Sequence, residues 1–378
     1  MARSEGEVDT DAFRAELRAW LAEHLTSEVA AAGADGMEGD DLELLRAWNR
    51  TLADGGWAAP AWPAEYGGRD AGVDEQLAYL EEMSRARAPG PVNVIGVSNI
   101  APAIMQFGTP EQQARFLGPM LRGDEIWSQG MSEPDAGSDL ASLRTAAVED
   151  GDDFVINGQK TWNSLGHHAD WCQLYVRTDP VAKKHAGISC FLVDMRTPGI
   201  EARPITTMTG GHTFAELYFT DARVPRTAIL GPLHGGWTVA MTTLSFERAG
   251  VARLHLSLAR RLDDLLADPR ADAGRKDPVL RDRLARVYAA IRCMRLLTER
   301  SLSDPAAAGA GGSLAKLSWA WCDQELGNLA VDLIGPEALG VDDPWAENFL
   351  AVRQASIAGG TTEINKNIVG EHVLGLPR

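Results

Sequence analysis

The chain reads FVINGQKTWNS at residues 154–164, where strand-forming residues lead into a turn at an asparagine and a glycine. Three further runs have the same character: WCQLYVR at 171–177, GISCFLVD at 187–194 and FAELYF at 214–219. In the first of these, Cys172, Leu174 and Val176 alternate with polar or amphipathic neighbours, as in a half-buried strand. Turn-forming residues separate the runs. This part of the chain therefore predicts a small antiparallel β-domain.

Helical periodicity flanks the strand region on both sides. Before it, apolar residues recur at helix spacing from Phe13 to Leu25, and again in segments 74–87 and 109–121. After it, apolar residues from Leu280 to Met294 step by 4, 3, 4 and 3, the spacing of a helix-bundle seam. The alanine- and glycine-rich segment 304–312 is interpreted as a loop. The prediction is an α+β fold with an N-terminal helical domain, a central antiparallel β-domain and a C-terminal four-helix bundle, at residues 1–124, 125–232 and 233–378.

Charge and composition exclude several classes of partner. The formal net charge is −17, whereas nucleic-acid binding depends on clustered Lys and Arg. No stretch is apolar for long enough to span a bilayer, and the N-terminal MARSEGEVDTD lacks the apolar core of a signal peptide. The four cysteines form no C-x-x-C and have no histidine at ligand spacing. We expect a cytoplasmic protein without membrane insertion, nucleic-acid binding or a metal site.

Four segments resemble the acyl-CoA dehydrogenase family, in the family's order and with compatible spacing. They are MSEPDAGSDLASLRT at 131–145, NGQKTWNSLGHHADW at 157–171, the stretch 224–252 that includes SFERAG, and the ending AGGTTEINKNIVGEHVLGLPR at 358–378. The first is similar to the family's TEPGAGSD signature, and the second to NGxKxWITNG. The resemblance covers nearly the whole chain. It implies FAD-dependent α,β-dehydrogenation of an acyl thioester, by removal of an α-proton and transfer of a β-hydride to flavin N5.

The same resemblance implies the residues of a flavin site. These are Gln129, Met131, Ser132, Ser138, Trp162, Ser164, Gly335, Thr361 and Glu363. Residues 129–132 would border the flavin ring, Trp162 would pack on it, and the Ser164 hydroxyl would bond near N5. Ser138 would lie near the pyrophosphate or the thioester end of the substrate. The family's Arg-x-x-Phe-Gly stretch is missing and its QxxGG element reads DLIGP here, so contacts to the adenine end of FAD differ from the usual pattern.

The catalytic base distinguishes branches of this family. In many members it is the Glu of a C-terminal YEGT segment, but this chain reads IAGGTTEI and has Gly359 at that position. No side chain there can accept a proton, although the main-chain N–H remains available to polarise the thioester carbonyl. Similarity to isovaleryl-CoA and long-chain acyl-CoA dehydrogenases implies instead that Glu247, in SFERAG, is the base. The implied substrate contacts are Ser138, Arg248, Gly359 and Gly360.

Three alternatives share the fold. One is a non-catalytic subunit that completes another chain's FAD site, motivated by Gly359 and the missing Arg-x-x-Phe-Gly stretch. The others are an acyl-CoA oxidase and a dehydrogenase of a carrier-protein thioester. The chain's ending resembles actinobacterial members, some of which act on sterol side chains or other bulky acyl groups and pair two unlike subunits. We expect an acyl-CoA substrate, an electron-transfer flavoprotein or similar acceptor, and a homo- or hetero-oligomer of two or four chains.

Overall fold

The described residues form two compact units. The structure, a computed structural model, describes the backbone of residues 10–32, 41–250, 254–303, 305–340 and 342–377, and their side chains except those of 247–250 and 301–310. One unit comprises Met1–Thr206 and His212–Thr243, and the other comprises Thr207–Gly211 and Leu244–Arg378. The domain boundaries predicted after residues 124 and 232 stay predictions.

Helices make up the first part of the first unit. They are α1 (Thr10–His24), α2 (Ser27–Ala32), α3 (Leu42–Asp54), α4 (Val73–Ala86), α5 (Ala101–Phe107) and α6 (Pro110–Arg122), with a π-helix at Gly96–Ile100. Helix α1 buries Phe13, Leu17 and Leu21, as its periodicity predicts. Helix α6 begins with a capping box, in which Thr109 and Gln112 each accept a hydrogen bond from the other's backbone N–H.

A single eight-stranded sheet follows in the same unit. Its strands are β1 (Trp127–Gly130), β2 (Ala146–Asp150), β3 (Asp153–Ser164), β4 (Trp171–Arg177), β5 (Ile188–Asp194), β6 (Ile200–Ile205), β7 (Phe214–Pro225) and β8 (Ile229–Leu230). The order is β6-β7-β3-β2-β4-β5-β8, and β1 pairs with β4. Most neighbours are antiparallel, as predicted, while β4 runs parallel to both β1 and β2. The β1–β4 pair places the end of β1 beside the centre of the sheet.

Strand β4 differs from the sequence-based expectation of a half-buried strand. All five residues from Cys172 to Val176 are buried, so both faces of the strand are covered. Gln173 and Tyr175, on the face expected to be polar, reach the hydroxyl of Thr243 in helix α7 (Gly236–Gly250). The alternation of residue types is real, but it separates two buried faces, one apolar and one hydrogen-bonded.

The second unit is a helical bundle. It contains α8 (Leu254–Ala267), α9 (Pro278–Ser303), α10 (Pro305–Ile334), α11 (Pro344–Ala351) and α12 (Thr362–His372). Leu258, Leu262, Val287, Ile291, Leu326 and Leu329 belong to its core. The loop predicted over residues 304–312 was wrong, because α10 begins at Pro305. Proline fits the first turn of a helix and alanine has the highest helix propensity, and these preferences outweigh the glycines. Among the described residues, no helix is long and apolar enough to cross a membrane.

Candidate active site

A buried ion pair fixes the segment after β1 onto strand β3. Lys160 Nζ lies 2.9 Å from Glu133 Oε1 and donates a second hydrogen bond to the carbonyl of Met131 at 3.0 Å. Glu133 also accepts hydrogen bonds from the backbone N–H groups of Arg144 and Thr145, at 2.6 and 2.8 Å. Both ends of the segment 131–145 are therefore tied to one carboxylate.

The surroundings of Glu133 favour its charged form. Burial opposes ionisation, but the Lys160 ammonium and the backbone donors outweigh it, and the pKa of Glu133 lies below its ordinary value. Burial lowers the pKa of Lys160, and the Glu133 carboxylate acts in the opposite direction. Because Glu133 accepts hydrogen bonds from one ammonium and two N–H groups, we conclude that the carboxylate is ionised in the folded protein.

Trp162 protrudes from a β-bulge in strand β3. The register of β3 against β7 shifts between Lys160 and Asn163, and Trp162 has a φ of 61°. This left-handed conformation is strained for a bulky residue and persists only where neighbouring structure holds it. The indole is 60% exposed and meets Phe214 edge-on, with ring centroids 6.0 Å apart. The bulge thus presents a large aromatic face to the outside of the sheet, where a planar group could stack.

Two unsatisfied polar atoms lie beside this bulge. The Asn163 amide donates to the carbonyl of Gln129, and the Ser128 hydroxyl donates to the carbonyl of Ser164 at 2.9 Å. Gln129 Nε2 and Asn163 Oδ1 are buried and have no hydrogen-bond partner among the described residues. Leaving such a group unpaired costs about 1–3 kcal/mol, so a bound molecule is the natural partner. One donor and one acceptor beside an exposed indole fit the polar edge and the face of a flavin ring.

The structure brings five of the predicted cofactor residues together in the first unit. Gln129, Met131, Ser132, Trp162 and Ser164 lie along the contact between β1 with its following turn and the bulged part of β3. The backbone bond from Thr161 N–H to the Ser132 carbonyl, 2.9 Å long, closes this group. Ser138 is exposed farther along the 131–145 segment.

The remaining described site residues belong to the second unit. Gly359 and Gly360 have φ values of 65° and 88° and directly precede α12. Thr361 caps this helix, since its hydroxyl accepts a hydrogen bond from Ile364 N–H at 3.2 Å. Glu363 is exposed in the first turn of α12. Gly335 lies just after α10, with a φ of 83°. Position 359 therefore contributes backbone alone.

Buried polar contacts hold the segment that leads to these glycines. Lys316, 4% exposed on α10, donates from Nζ to the carbonyl of Ala355. Gln324 Nε2 lies 3.1 Å from the hydroxyl of Ser356. Lys316 was not predicted from the sequence, and no role was predicted for Glu133, Lys160 or Asn163. The last three lie inside the motifs MSEPDAGSD and NGQKTWNS, and this position is the feature of the sequence that could have identified them.

Glu247 and Arg248 lie in α7, but their side chains are outside the described residues. Their roles as base and substrate contact stay predictions. Within the part of the chain that the structure describes, no group of three or more His, Cys, Asp or Glu side chains is placed to hold a metal ion.

Family models and related proteins match almost the whole length of the chain. Three family models match: "Acyl-CoA dehydrogenase, N-terminal domain" at residues 7–124, "middle domain" at 128–222 and "C-terminal domain" at 234–374. The chain is 43% identical over 380 residues to "Acyl-CoA dehydrogenase IpdE1" of Mycobacterium tuberculosis, covering 98% of both chains. A solved structure described as "Tcur3481-Tcur3483 steroid ACAD" has a TM-score of 0.85 at 32% identity, covering 98% of each chain. The "ChsE4-ChsE5 complex from Mycobacterium tuberculosis" has a TM-score of 0.81 at 31% identity, covering 100% of each.

Proposed function

Because the chain belongs to the acyl-CoA dehydrogenase family and is an oxidoreductase of that class, we propose that it binds FAD and oxidises a bulky acyl-CoA thioester with Glu247 as base. The observation that carries the choice of base is Gly359. This position, where many members have a glutamate, carries no side chain and adopts a left-handed backbone conformation. The SFERAG segment supplies a carboxylate at the alternative position of the family.

The flavin would be held at the bulge of strand β3. The exposed indole of Trp162 would cover part of the ring, and Gln129 Nε2 and Asn163 Oδ1 would bond its polar edge. When bound, FAD accepts the hydride that leaves the β-carbon of the substrate. Further contacts to the cofactor are proposed for Met131, Ser132, Ser138, Ser164, Gly335, Thr361 and Glu363. The buried Lys160–Glu133 pair would keep the surrounding segment in place before the cofactor arrives.

The base and the carbonyl-polarising group come from different parts of the chain. Glu247 would take the α-proton of the thioester as that carbon becomes acidic in the transition state. The main-chain N–H of Gly359 would donate to the thioester oxygen, where negative charge develops. Arg248, Gly360 and Ser138 are proposed as further substrate contacts. Loss of the carboxylate at 359 thus removes one possible base and keeps the hydrogen-bond donor.

We propose a steroid-derived acyl group as the substrate class. The support is the likeness to the structure described as a steroid acyl-CoA dehydrogenase, together with the absence of side chains at Gly359 and Gly360. We also propose an oligomer, with an electron-transfer flavoprotein or similar acceptor. The "ChsE4-ChsE5 complex" joins two named chains. Tyr288, Leu296 and Trp321 expose large hydrophobic surface in the second unit, which suits a subunit contact.

An anaerobic absorbance titration of the purified chain tests this function. Each thioester of a panel is added in turn: a steroid side-chain acyl-CoA, straight-chain acyl-CoAs and a carrier-protein thioester. We expect a yellow protein whose flavin is bleached by the steroid thioester. Bleaching by straight-chain thioesters alone would contradict the substrate class. A colourless protein that gains flavin only with a second family member would favour the alternative that the chain is a non-catalytic subunit. The observation behind that alternative is the lack of a carboxylate at Gly359.

A further inference from the structure

A buried polar cluster joins helix α7 to strand β4. Gln173 Nε2 lies 3.3 Å from Thr243 Oγ1, and the Tyr175 hydroxyl lies 3.2 Å from the same atom. All three residues are fully buried. Burial raises the pKa of Tyr175 well above its ordinary value, so the phenol keeps its proton and can donate to Thr243. The threonine hydroxyl is therefore the shared partner of two side chains on one strand.

Apart from the Cys190 thiol, which shares a hydrogen bond with the Tyr175 hydroxyl, the surroundings of this cluster are apolar. Val239 and Ala240 of α7 and Ile188 and Leu192 of β5 belong to the same hydrophobic core as Tyr175. Apolar contacts alone would hold the helix on the sheet, but they constrain its rotation and its axial position weakly because they have no direction. Hydrogen bonds in a dry core are directional, and a missing partner there is costly. The cluster thus fixes the register of α7 on β4.

This anchor lies one helical turn before the proposed base. Among residues 236–246 of α7, whose burial the structure describes, the buried ones are Gly236, Val239, Ala240 and Thr243, spaced as one face of a helix. Glu247 follows Thr243 by four residues in the same helix. Gln173, a member of the cluster, is also the register partner of Gln129 in the parallel pairing of β1 with β4. The cluster therefore connects the helix of the proposed base to β4, the strand that pairs with β1 of the proposed flavin site.

We propose that Thr243 is a positioning residue for catalysis, which sets the height and rotation of α7 for Glu247 through Gln173 and Tyr175. The inference rests on the proposed role of Glu247. Thr243 is proposed to act through Glu247, without touching substrate or cofactor. Its removal should slow proton abstraction while the binding of FAD and thioester is retained, because a small displacement of a base from its productive geometry reduces the rate strongly.

Anaerobic stopped-flow reduction of the FAD-loaded protein tests the proposal. Thr243→Val keeps the shape of the side chain and removes the hydroxyl. We expect the rate constant for flavin reduction to fall about tenfold, with the dissociation constants of FAD and thioester within about twofold of wild type. Thr243→Ser, which restores the hydroxyl, should recover most of the rate. Tyr175→Phe removes one partner and should give an intermediate loss, and it keeps the test open if Thr243→Val does not fold.

The matched control is Thr298→Val in α9. Thr298 is 3% exposed and lies in a helix of the second unit, so this substitution also removes a hydroxyl from a buried threonine. We expect this variant to lose stability without a change in the reduction rate constant. The positioning role would be overturned if Thr243→Val and Tyr175→Phe both had the wild-type rate constant for flavin reduction. It would also be overturned if Thr298→Val lowered that rate constant as much as Thr243→Val does. If Glu247→Gln also reduced flavin normally, the proposed function itself would fail, and a silent Thr243→Val beside an inactive Glu247→Gln would refute the positioning role alone.

Discussion

Lys160 Nζ lies 2.9 Å from Glu133 Oε1, and both side chains are more than nine-tenths buried. This ion pair joins two sequence motifs, since Glu133 belongs to MSEPDAGSD and Lys160 to NGQKTWNS. The carboxylate also receives the N–H groups of Arg144 and Thr145, so it organises the whole segment between the motifs. The proposed flavin site is built on this connection.

Breaking the pair from the lysine side should be strongly destabilising. Lys160→Met leaves the Glu133 carboxylate buried without its cation, and such changes cost about 3–5 kcal/mol of unfolding free energy. Urea denaturation of the purified variant measures the loss. Arg196→Met, which removes an exposed ion pair with Asp194, is the control and should be indistinguishable from wild type. If Lys160→Met had the same unfolding free energy as the control, the Lys160–Glu133 pair would not contribute to stability.

Acid should weaken the fold partly through Glu133. Its pKa is lowered from the ordinary value of 4.5, so the folded state binds the proton more weakly than the unfolded state does. The resulting stability is fully present above the unfolded pKa and is lost as the pH falls through the folded one. Glu133→Gln should therefore flatten the fall in unfolding free energy below pH 4.5. Urea titrations from neutral to acidic pH measure this slope, and equal slopes in variant and wild type would refute the prediction.

Trp162 should contribute to flavin binding although its backbone conformation is strained. Trp162→Gly relieves a left-handed conformation that costs roughly 1–2 kcal/mol, but it removes the aromatic face. We expect FAD affinity to fall at least about tenfold, the loss of a stacking contact of about 1.4 kcal/mol or more. The unfolding free energy of the FAD-free protein should not decrease. Fluorescence titration with FAD measures the affinity, with Val148→Ala on exposed β2 as the control, and unchanged affinity in Trp162→Gly would contradict the assignment.

A side chain at Gly360, in the turn before α12, should be destabilising. An added Cβ would lie 3.1 Å from Asn365 Nδ2, which donates to the carbonyls of Gly360 and Thr361. Gly360→Ala should cost more than Gly210→Ala, which has a similar φ of 87° and open space around the new Cβ. The two variants share the backbone strain, so the loss of unfolding free energy should differ between them by about 1 kcal/mol, the value of one hydrogen bond. Parallel denaturation curves compare the two, and equal losses would show that Asn365 moves without cost.

The sequence predicted the fold class and four of the eight strands, β3, β4, β5 and β7, with helices before and after them. Periodicity located α1 and the apolar seam of α9, and the motifs located the turn after β1 and the bulged strand. The same approach could not show that β4 is buried on both faces, because Gln173 and Tyr175 look like surface residues until Thr243 is placed against them. Nor could it show the Lys160–Glu133 pair, which joins residues 27 positions apart in the sequence. Such contacts depend on tertiary placement, which local patterns do not encode.

Glu247→Gln tests whether Glu247 is the catalytic base. The matched control is Glu299→Gln, because Glu299 also precedes an arginine on a helix of the second unit and accepts a hydrogen bond from the exposed Arg295. Both proteins are loaded with FAD and mixed anaerobically with the thioester that bleaches the wild type. We predict that Glu299→Gln is bleached at the wild-type rate, whereas Glu247→Gln keeps its yellow flavin and is not bleached. Bleaching of Glu247→Gln at the wild-type rate would contradict the assignment of Glu247 as the base.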